Sequence, residues 1–188
     1  RAALFDIPPY LGQMITGMNR VDGIGVAYTY DGDGAFAERV SNVLGADMGF
    51  YITVTLEQLS GLVDLFGGVP IFLADMPNEG AEPVLLPNGD VVLDGEKAIQ
   101  YLTMTLPGED AREAIGRRQR FIIALLGRMG DVAEELAHRD ASRVLAAMVQ
   151  SNLDRQALVS FAGELSALES DRVIARQVEG TLREVEIE

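Results

Sequence analysis

The chain contains no cysteine, one histidine (His138) and one lysine (Lys97) among 188 residues. Without cysteine there are no disulfides and no thiolate metal sites, which suits an extracytoplasmic chain and a cytoplasmic one equally. With His138 alone, a Ser-His-Asp triad or a histidine zinc site has to be built around that single side chain. His138 stands near the end of a long helical pattern, where a cation beside a helix C-terminus is the simplest reading. No run of about 18 apolar residues occurs, so no segment reads as a membrane span. Basic residues are outnumbered, 15 Lys and Arg against 29 Asp and Glu, for a net charge of -14. A duplex-binding face needs clustered cations to displace counterions from phosphates, so no nucleic-acid partner is expected. There is no starting Met, and no leader is expected within the chain, since Arg1 runs directly into strand-like residues 2–8. A processed chain, or part of a longer one, is expected, with any membrane anchor upstream of residue 1.

What is present is the balance of a globular domain, 48% hydrophobic and 23% charged. One domain spanning 1–188 is expected, lacking its first strand upstream. A helix is predicted over Ala35–Leu44, closed by Gly45. Gly49–Thr55 is dense in β-branched and aromatic residues and reads as a strand. Thr55 and Gln58 form a capping box for a helix with an apolar stripe of Leu59, Leu62, Val63 and Phe66. That helix stops at Gly67-Gly68, and a short strand resumes over Val69–Leu73. After a loop at 74–83, Val84–Leu86 and Val91–Leu93 flank Pro87-Asn88-Gly89-Asp90 as a hairpin. Asp94 caps a helix running towards Met104. One long helix is predicted from near Glu109 to about Ala137, then helices at about 141–150 and 154–168. Strand-like stretches at 172–178 and 181–187 follow. Strands embedded among helices of this length predict an α/β layered domain.

Several phrases, in order, resemble the LytR-CpsA-Psr family. Leu4-Phe5-Asp6-Ile7-Pro8 is similar to the strand that ends in the family's Ile-Pro-Arg-Asp. Ala27-Tyr28-Thr29-Tyr30-Asp31-Gly32 looks like its Ala-Tyr-Ala-Tyr-Gly-Gly segment. Phe50–Val54 resembles a family strand, and Leu62-Val63-Asp64-Leu65-Phe66-Gly67-Gly68-Val69 resembles the helix end after it. Leu93-Asp94-Gly95-Glu96-Lys97-Ala98-Ile99-Gln100-Tyr101 is nearly the family's Leu-Asp-Gly-Glu-Lys-Ala-Leu-x-Tyr. Arg118-Gln119 and Ser151-Asn152-Leu153 sit where the family has Arg-Gln and Thr-Asn-Leu. The resemblance implies an α-β-α sandwich with a central mixed sheet and a hydrophobic lipid tunnel between sheet and helices. It implies an extracytoplasmic, cell-envelope location. The implied activity is transfer of an anionic glycopolymer from a polyprenyl-pyrophosphate carrier to a cell-wall acceptor, with magnesium. Such chemistry needs guanidinium groups and a cation to neutralise pyrophosphate oxygens as the bond breaks.

The positions implied to carry that chemistry are largely replaced. Ile-Pro-Arg-Asp reads Ile7-Pro8-Pro9-Tyr10, so proline and tyrosine stand for arginine and aspartate. After Tyr101 the family has two arginines where this chain has Thr103 and Thr105, which hydrogen-bond phosphate but add no charge. Within Arg112–Gln119, Ile115 stands at an arginine position and Arg112 at an aspartate position; Arg118 and Gln119 match. The implied metal-bearing strand falls before Arg1, so metal ligands stay open. Arg118 and Gln119 are the catalytic candidates. Arg112, Thr103, Thr105, Ile115 and Ile122 are candidates for a pocket mouth or tunnel.

Gln119 either satisfies a buried backbone group or hydrogen-bonds a head group at a tunnel mouth. Arg112, Arg117, Arg118 and Arg120 form either a phosphate-binding patch or a solvated face paired through Glu113–Arg117 and the nearby Glu109 and Asp110. Asp31-Gly-Asp33-Gly is either a capped turn or a fragment of a calcium loop lacking its later ligands. Tyr28 and Tyr30 either stack on sugar or pack. The leading expectation is a cell-envelope domain that binds a polyprenyl-phosphate lipid with transfer weak or lost. The alternatives are an active phosphotransferase, in which Arg112 and Arg20 join Arg118 and Gln119, and a non-catalytic structural module.

Overall fold

A computed structural model describes residues 2–15, 20–73, 86, 89–168 and 172–178. In chain order the elements begin with β1 (Ala2–Asp6), β2 (Gly12–Ile15), β3 (Arg20–Gly23), α1 (Ile24–Leu44) and β4 (Ile52–Thr53). Then come α2 (Leu56–Leu65), β5 (Val69–Leu73), β6 (Gly89–Leu93), α3 (Gly95–Thr103) and α4 (Ala111–Asp131). The chain continues with α5 (Ala133–Ala137), α6 (Arg139–Met148), β7 (Gln150–Ser151), α7 (Arg155–Leu165) and β8 (Val173–Gln177). This is the α/β class expected. Among the described residues the strands pair two by two, as β1–β8, β2–β3, β4–β7 and β5–β6, where one central sheet was expected.

The contacts divide into two compact units. One holds residues 50–174. In it, β4 and β7 pair antiparallel through Ile52–Ser151 and Thr53–Gln150, so the strand expected over 49–55 shortens to two residues. The Ser151 hydroxyl donates to the Tyr51 carbonyl, and Tyr51 N–H donates to Asn152 Oδ1 at 3.0 Å. These polar residues therefore fasten a ladder too short to hold itself. Thr55 caps α2 through the predicted box, with Gln58 N–H on its hydroxyl and Gln58 Oε1 on its own N–H. Past α2, Gly67 and Gly68 both have positive φ, 75° and 89°, which turns the chain into β5. A Cβ on Gly68 would lie 2.5 Å from Val92 Cγ1, so the turn also needs glycine for space.

β6 pairs antiparallel with β5 in the register Val69↔Leu93 to Leu73↔Gly89. The expected partner strand at 84–86 lies, but for Leu86, outside the described residues, as do the loop at 74–83 and the strand at 181–187. The predicted 109–137 helix is two helices. α4 starts from Asp110, whose capping box with Glu113 is complete, and ends at Val132, where φ −100° and ψ 17° break the helical path before α5. His138 caps both α5 and α6, so it ends one helix and begins another.

Two apolar clusters fill this unit. Leu62, Phe66, Met129, Leu136, Leu145 and Leu158 gather α2 with α4 to α7. Val63, Val69, Leu93, Tyr101 and Phe121 gather α2, α3 and α4 over the β5–β6 ladder. Leu62 and Val63 are adjacent on α2 and feed one cluster each, which ties both to the same helix. At about 25 cal/mol per Å² of apolar surface removed from water, such side chains each contribute roughly 1.5–3 kcal/mol.

The other unit holds residues 3–49 and 175–178. β2 and β3 form a hairpin, with Gly12↔Gly23 and Met14↔Val21 in register. α1 starts at Ile24, well before the expected Ala35, and is broken at Gly32. Arg39 bridges the break: Nε and Nη2 reach Asp31 Oδ2 at 2.9 and 2.6 Å, and Nη1 reaches the Met14 carbonyl at 2.8 Å. Tyr28 and Phe36 meet edge-to-face across it, with centroids 5.3 Å apart. Asp31 is thus an ion-pair partner at the break within α1, where a capped turn or a calcium-loop fragment was expected.

Candidate functional site

The two helices that carry most of the candidate residues, α3 and α4, are joined by residues 104–110. Their mutual position starts with Gly95, the first residue of α3. A Cβ there would lie 2.3 Å from the Ser60 carbonyl oxygen, so only glycine lets α3 approach α2 this closely. Gly95 N–H donates to Asp64 Oδ1 at 2.8 Å, and Asp94 accepts from Lys97 N–H at 2.9 Å as the helix cap. The Lys97 ammonium also pairs with Asp94, on an exposed face. That pair holds the Asp94 carboxyl below its ordinary range, first through the Lys97 side chain and then through its N–H.

At the far end of α3 the last carbonyls need partners. Arg117, on α4, supplies them. Its guanidinium donates to the Tyr101 carbonyl and to the Met104 carbonyl at 2.9 Å. The same group meets Glu109 in a fork, Nε to Oε1 at 2.7 Å and Nη2 to Oε2 at 3.0 Å. It also lies 5.4 Å from the Tyr101 ring centre, a cation–π distance. Arg117 is 3% exposed, so every donor direction the fold uses here is spent on protein. The hydrogen bonds from Arg117 pull the Glu109 carboxyl below its ordinary value, with burial opposing. Burial raises the Tyr101 hydroxyl, against the charges of Arg120 and Arg117.

This corrects the expected Glu113–Arg117 pairing. Glu113 is used in the α4 capping box, receiving Asp110 N–H at 2.9 Å, and the partner of Arg117 is Glu109, before the helix. No i,i+4 rule reaches that contact, because Glu109 precedes the helix and arrives through the loop. Arg117 is the principal polar residue that sequence reasoning misplaced.

Arg112, Ile115, Gln119 and Ile122 fall at i, i+3, i+7 and i+10, so they share one stripe of α4. Ile115 and Gln119 are half-buried, and Arg112 and Arg118 are exposed. Ile122 packs against the cluster around Phe121 and Tyr101. Leu125 and Met129, further along, pack into the clusters as well, so this part of the stripe is core. Thr103 and Thr105 are exposed, and the Thr103 hydroxyl donates back to the Ile99 carbonyl at 2.8 Å. Pro9, Tyr10 and Arg20 belong to the other unit; Arg20 pairs with Asp22 at 2.6 Å on the surface. Among the described residues no group of three or more His, Cys, Asp or Glu could hold a metal ion. Nor, among them, is any helix long and apolar enough to cross a membrane.

Chemically, the α3–α4 surface offers an exposed guanidinium (Arg118), a half-buried carboxamide (Gln119) and two hydroxyls beside an apolar stripe. Arg112 and Arg120 are exposed on α4 as well.

The model of the LytR_cpsA_psr family matches residues 13–187. The chain is 25% identical over 158 residues to the polyisoprenyl-teichoic acid–peptidoglycan teichoic acid transferase TagU of Bacillus subtilis (strain 168), covering 80% of this chain and 49% of that one. It thus spans about half the length of the curated relatives it matches. Among solved structures, B. subtilis TagV is similar in fold at TM-score 0.75 and 19% identity, over 94% of this chain and 70% of that one. B. subtilis TagT is similar at TM-score 0.72 and 16% identity, over 95% and 68%. TagT is also represented bound to LI-WTA.

Proposed function

From the premise that the chain belongs to the LytR-CpsA-Psr family, we propose that it binds a polyprenyl-phosphate-type lipid at the cell envelope, outside the membrane, with transfer of glycopolymer weak or lost. The observation that carries this reading is the loss of cationic charge at the positions where the family implies it, three on or beside α3 and α4 and one, Pro9, in the other unit. Four positions at which the family implies arginine hold Pro9, Thr103, Thr105 and Ile115. The one buried guanidinium described nearby, Arg117, is engaged with Glu109 and the end of α3.

A guanidinium contributes twice to phosphoryl transfer, by charge and by a forked pair of donors. Threonine supplies one hydroxyl and no charge, and the Thr103 hydroxyl already donates within its own helix. Isoleucine supplies neither. Ground-state binding of a single phosphate asks for less: Arg118 gives charge, Gln119 and Thr105 give donors, and the half-buried Ile115 gives an apolar surface for the first isoprene unit. Transition-state stabilisation, which needs donors aimed at developing charge, is what the substitutions remove. The partners of this reading are a lipid-linked glycopolymer and the wall that receives it. They fit the teichoic acid transferase activity of TagU and the LI-WTA complex of TagT.

Native mass spectrometry tests the reading. The purified chain incubated with undecaprenyl phosphate is expected to retain one lipid per chain, and Arg118→Ala with Gln119→Ala to reduce retention at least about tenfold, as for loss of charge-assisted hydrogen bonds. Failure to retain lipid, with the fold intact, would remove the binding function and leave an interaction role.

A further inference from the structure

An open groove of about 470 Å³ runs between β5, the second half of α4 and the end of α7. Its volume lies within the roughly 300–1,000 Å³ of small-molecule sites. Arg120, Ala124, Gly127 and Asp131 line it at i, i+4, i+7 and i+11, so it follows one stripe of α4. Arg112, Ile115, Gln119 and Ile122 follow another. The groove is therefore centred off the face that carries the family motif, the two adjoining where Gln119 and Ile123 stand at i and i+4.

Gly127 is the first clue. Glycine is the poorest helix former after proline, so a glycine inside α4 calls for a reason. Gly130 has one, because a Cβ there would lie 2.6 Å from the Ser166 backbone nitrogen. A Cβ on Gly127 would meet nothing within 4 Å. It borders the groove, and its missing side chain leaves that space open.

Charge is the second. The middle of the groove is apolar, with Ile71, Phe72 and Ile123 along it, and Phe72 is 66% exposed. At the α7 end Arg128 has Asp131 for company in the lining, and its Nε already donates to the Phe66 carbonyl at 2.8 Å. Arg120 stands about 12 Å away along the helix, at 1.5 Å per residue. Among the described lining residues no carboxylate stands at that end. In a chain of net charge -14, this is a cationic end joined to an apolar trough.

We infer that the α4–β5 groove is a second binding site, for a small anionic amphiphile whose charged group sits against Arg120 and whose apolar body lies over Gly127. The ligand class is a single acidic group on a short aliphatic chain. Octanoate is the probe, titrated into the full chain and followed by ¹H–¹⁵N spectra. Saturable shifts are expected at Phe72, Ile123 and Gly127. Gly127→Leu, which fills the trough, is expected to weaken binding at least about tenfold, and so is Arg120→Gln. Gly127→Ala, which favours the helix, is expected to weaken binding less while raising the melting temperature. Arg118→Ala is expected to leave octanoate binding unchanged, which separates this site from the lipid-phosphate site above. Absence of saturation, equal affinity for 1-octanol, or indifference to Gly127→Leu would overturn the inference.

Discussion

Arg117 and Glu109 meet in a two-pronged ion pair, 2.7 Å from Nε and 3.0 Å from Nη2, with both side chains more than nine-tenths shielded from solvent. The same guanidinium closes the end of α3 through the Tyr101 and Met104 carbonyls. Removing one member of a buried pair leaves the other charge without compensation, at a cost of about 3–5 kcal/mol. Arg117→Ala is therefore expected to destabilise the chain by about that much in urea denaturation. Arg118→Ala, one residue on and exposed, is expected to shift stability by less than about 0.5 kcal/mol.

The pair also sets an acid limit. The folded Glu109 carboxyl lies below its ordinary value of 4.5, chiefly through its bonds from Arg117. A carboxyl with a lowered folded pKa contributes stability above its unfolded value and loses it as pH falls through the folded one. Stability measured from pH 7 downward is expected to fall below about pH 4.5 more steeply in the wild type than in Glu109→Gln. Parallel curves would show that the pair contributes nothing to the acid limb.

Gly95 tests why the Leu-Asp-Gly-Glu-Lys phrase reads as it does. With Ser60 oxygens 2.3 and 2.4 Å from the place of a Cβ, Gly95→Ala must push α3 away from α2. Forced overpacking of this kind costs about 1–3 kcal/mol, expected as a lowered denaturation midpoint.

The break in α1 rests on backbone conformation rather than space. Gly32 has φ 78° and ψ −179°, a region essentially reserved for glycine, and a Cβ there would touch nothing within 4 Å. Gly32→Ala is expected to cost about 1–3 kcal/mol by backbone strain alone. Hydrogen exchange is expected to quicken around the break in Arg39→Ala, which loses the bonds to Asp31 and Met14.

The residues legible in the sequence were those whose job is local or scaffolding. Thr55–Gln58 reads as a capping box because the whole motif lies within one turn. Gly67-Gly68, Asp94-Gly95 and Ser151-Asn152 resembled the family, and each proves to hold a turn or a close approach. The β2–β3 hairpin and the first part of α1 escaped because glycines at 23, 25 and 32 obscure periodicity. The α4–α5 break escaped because Val132 continues the apolar stripe that the backbone leaves. Arg117 was misassigned because its partner is brought in by a loop, and helix spacing describes only neighbours on the same helix.

On the proposed function, loss of arginines has separated holding the lipid from breaking its pyrophosphate. The most direct measurement incubates the purified chain with a polyprenyl-pyrophosphate-linked glycan and magnesium and follows release of polyprenyl phosphate. The account predicts retained lipid and release no faster than the protein-free control. Release well above that control, abolished by Arg118→Ala with the fold intact, would contradict it and make the chain an active transferase.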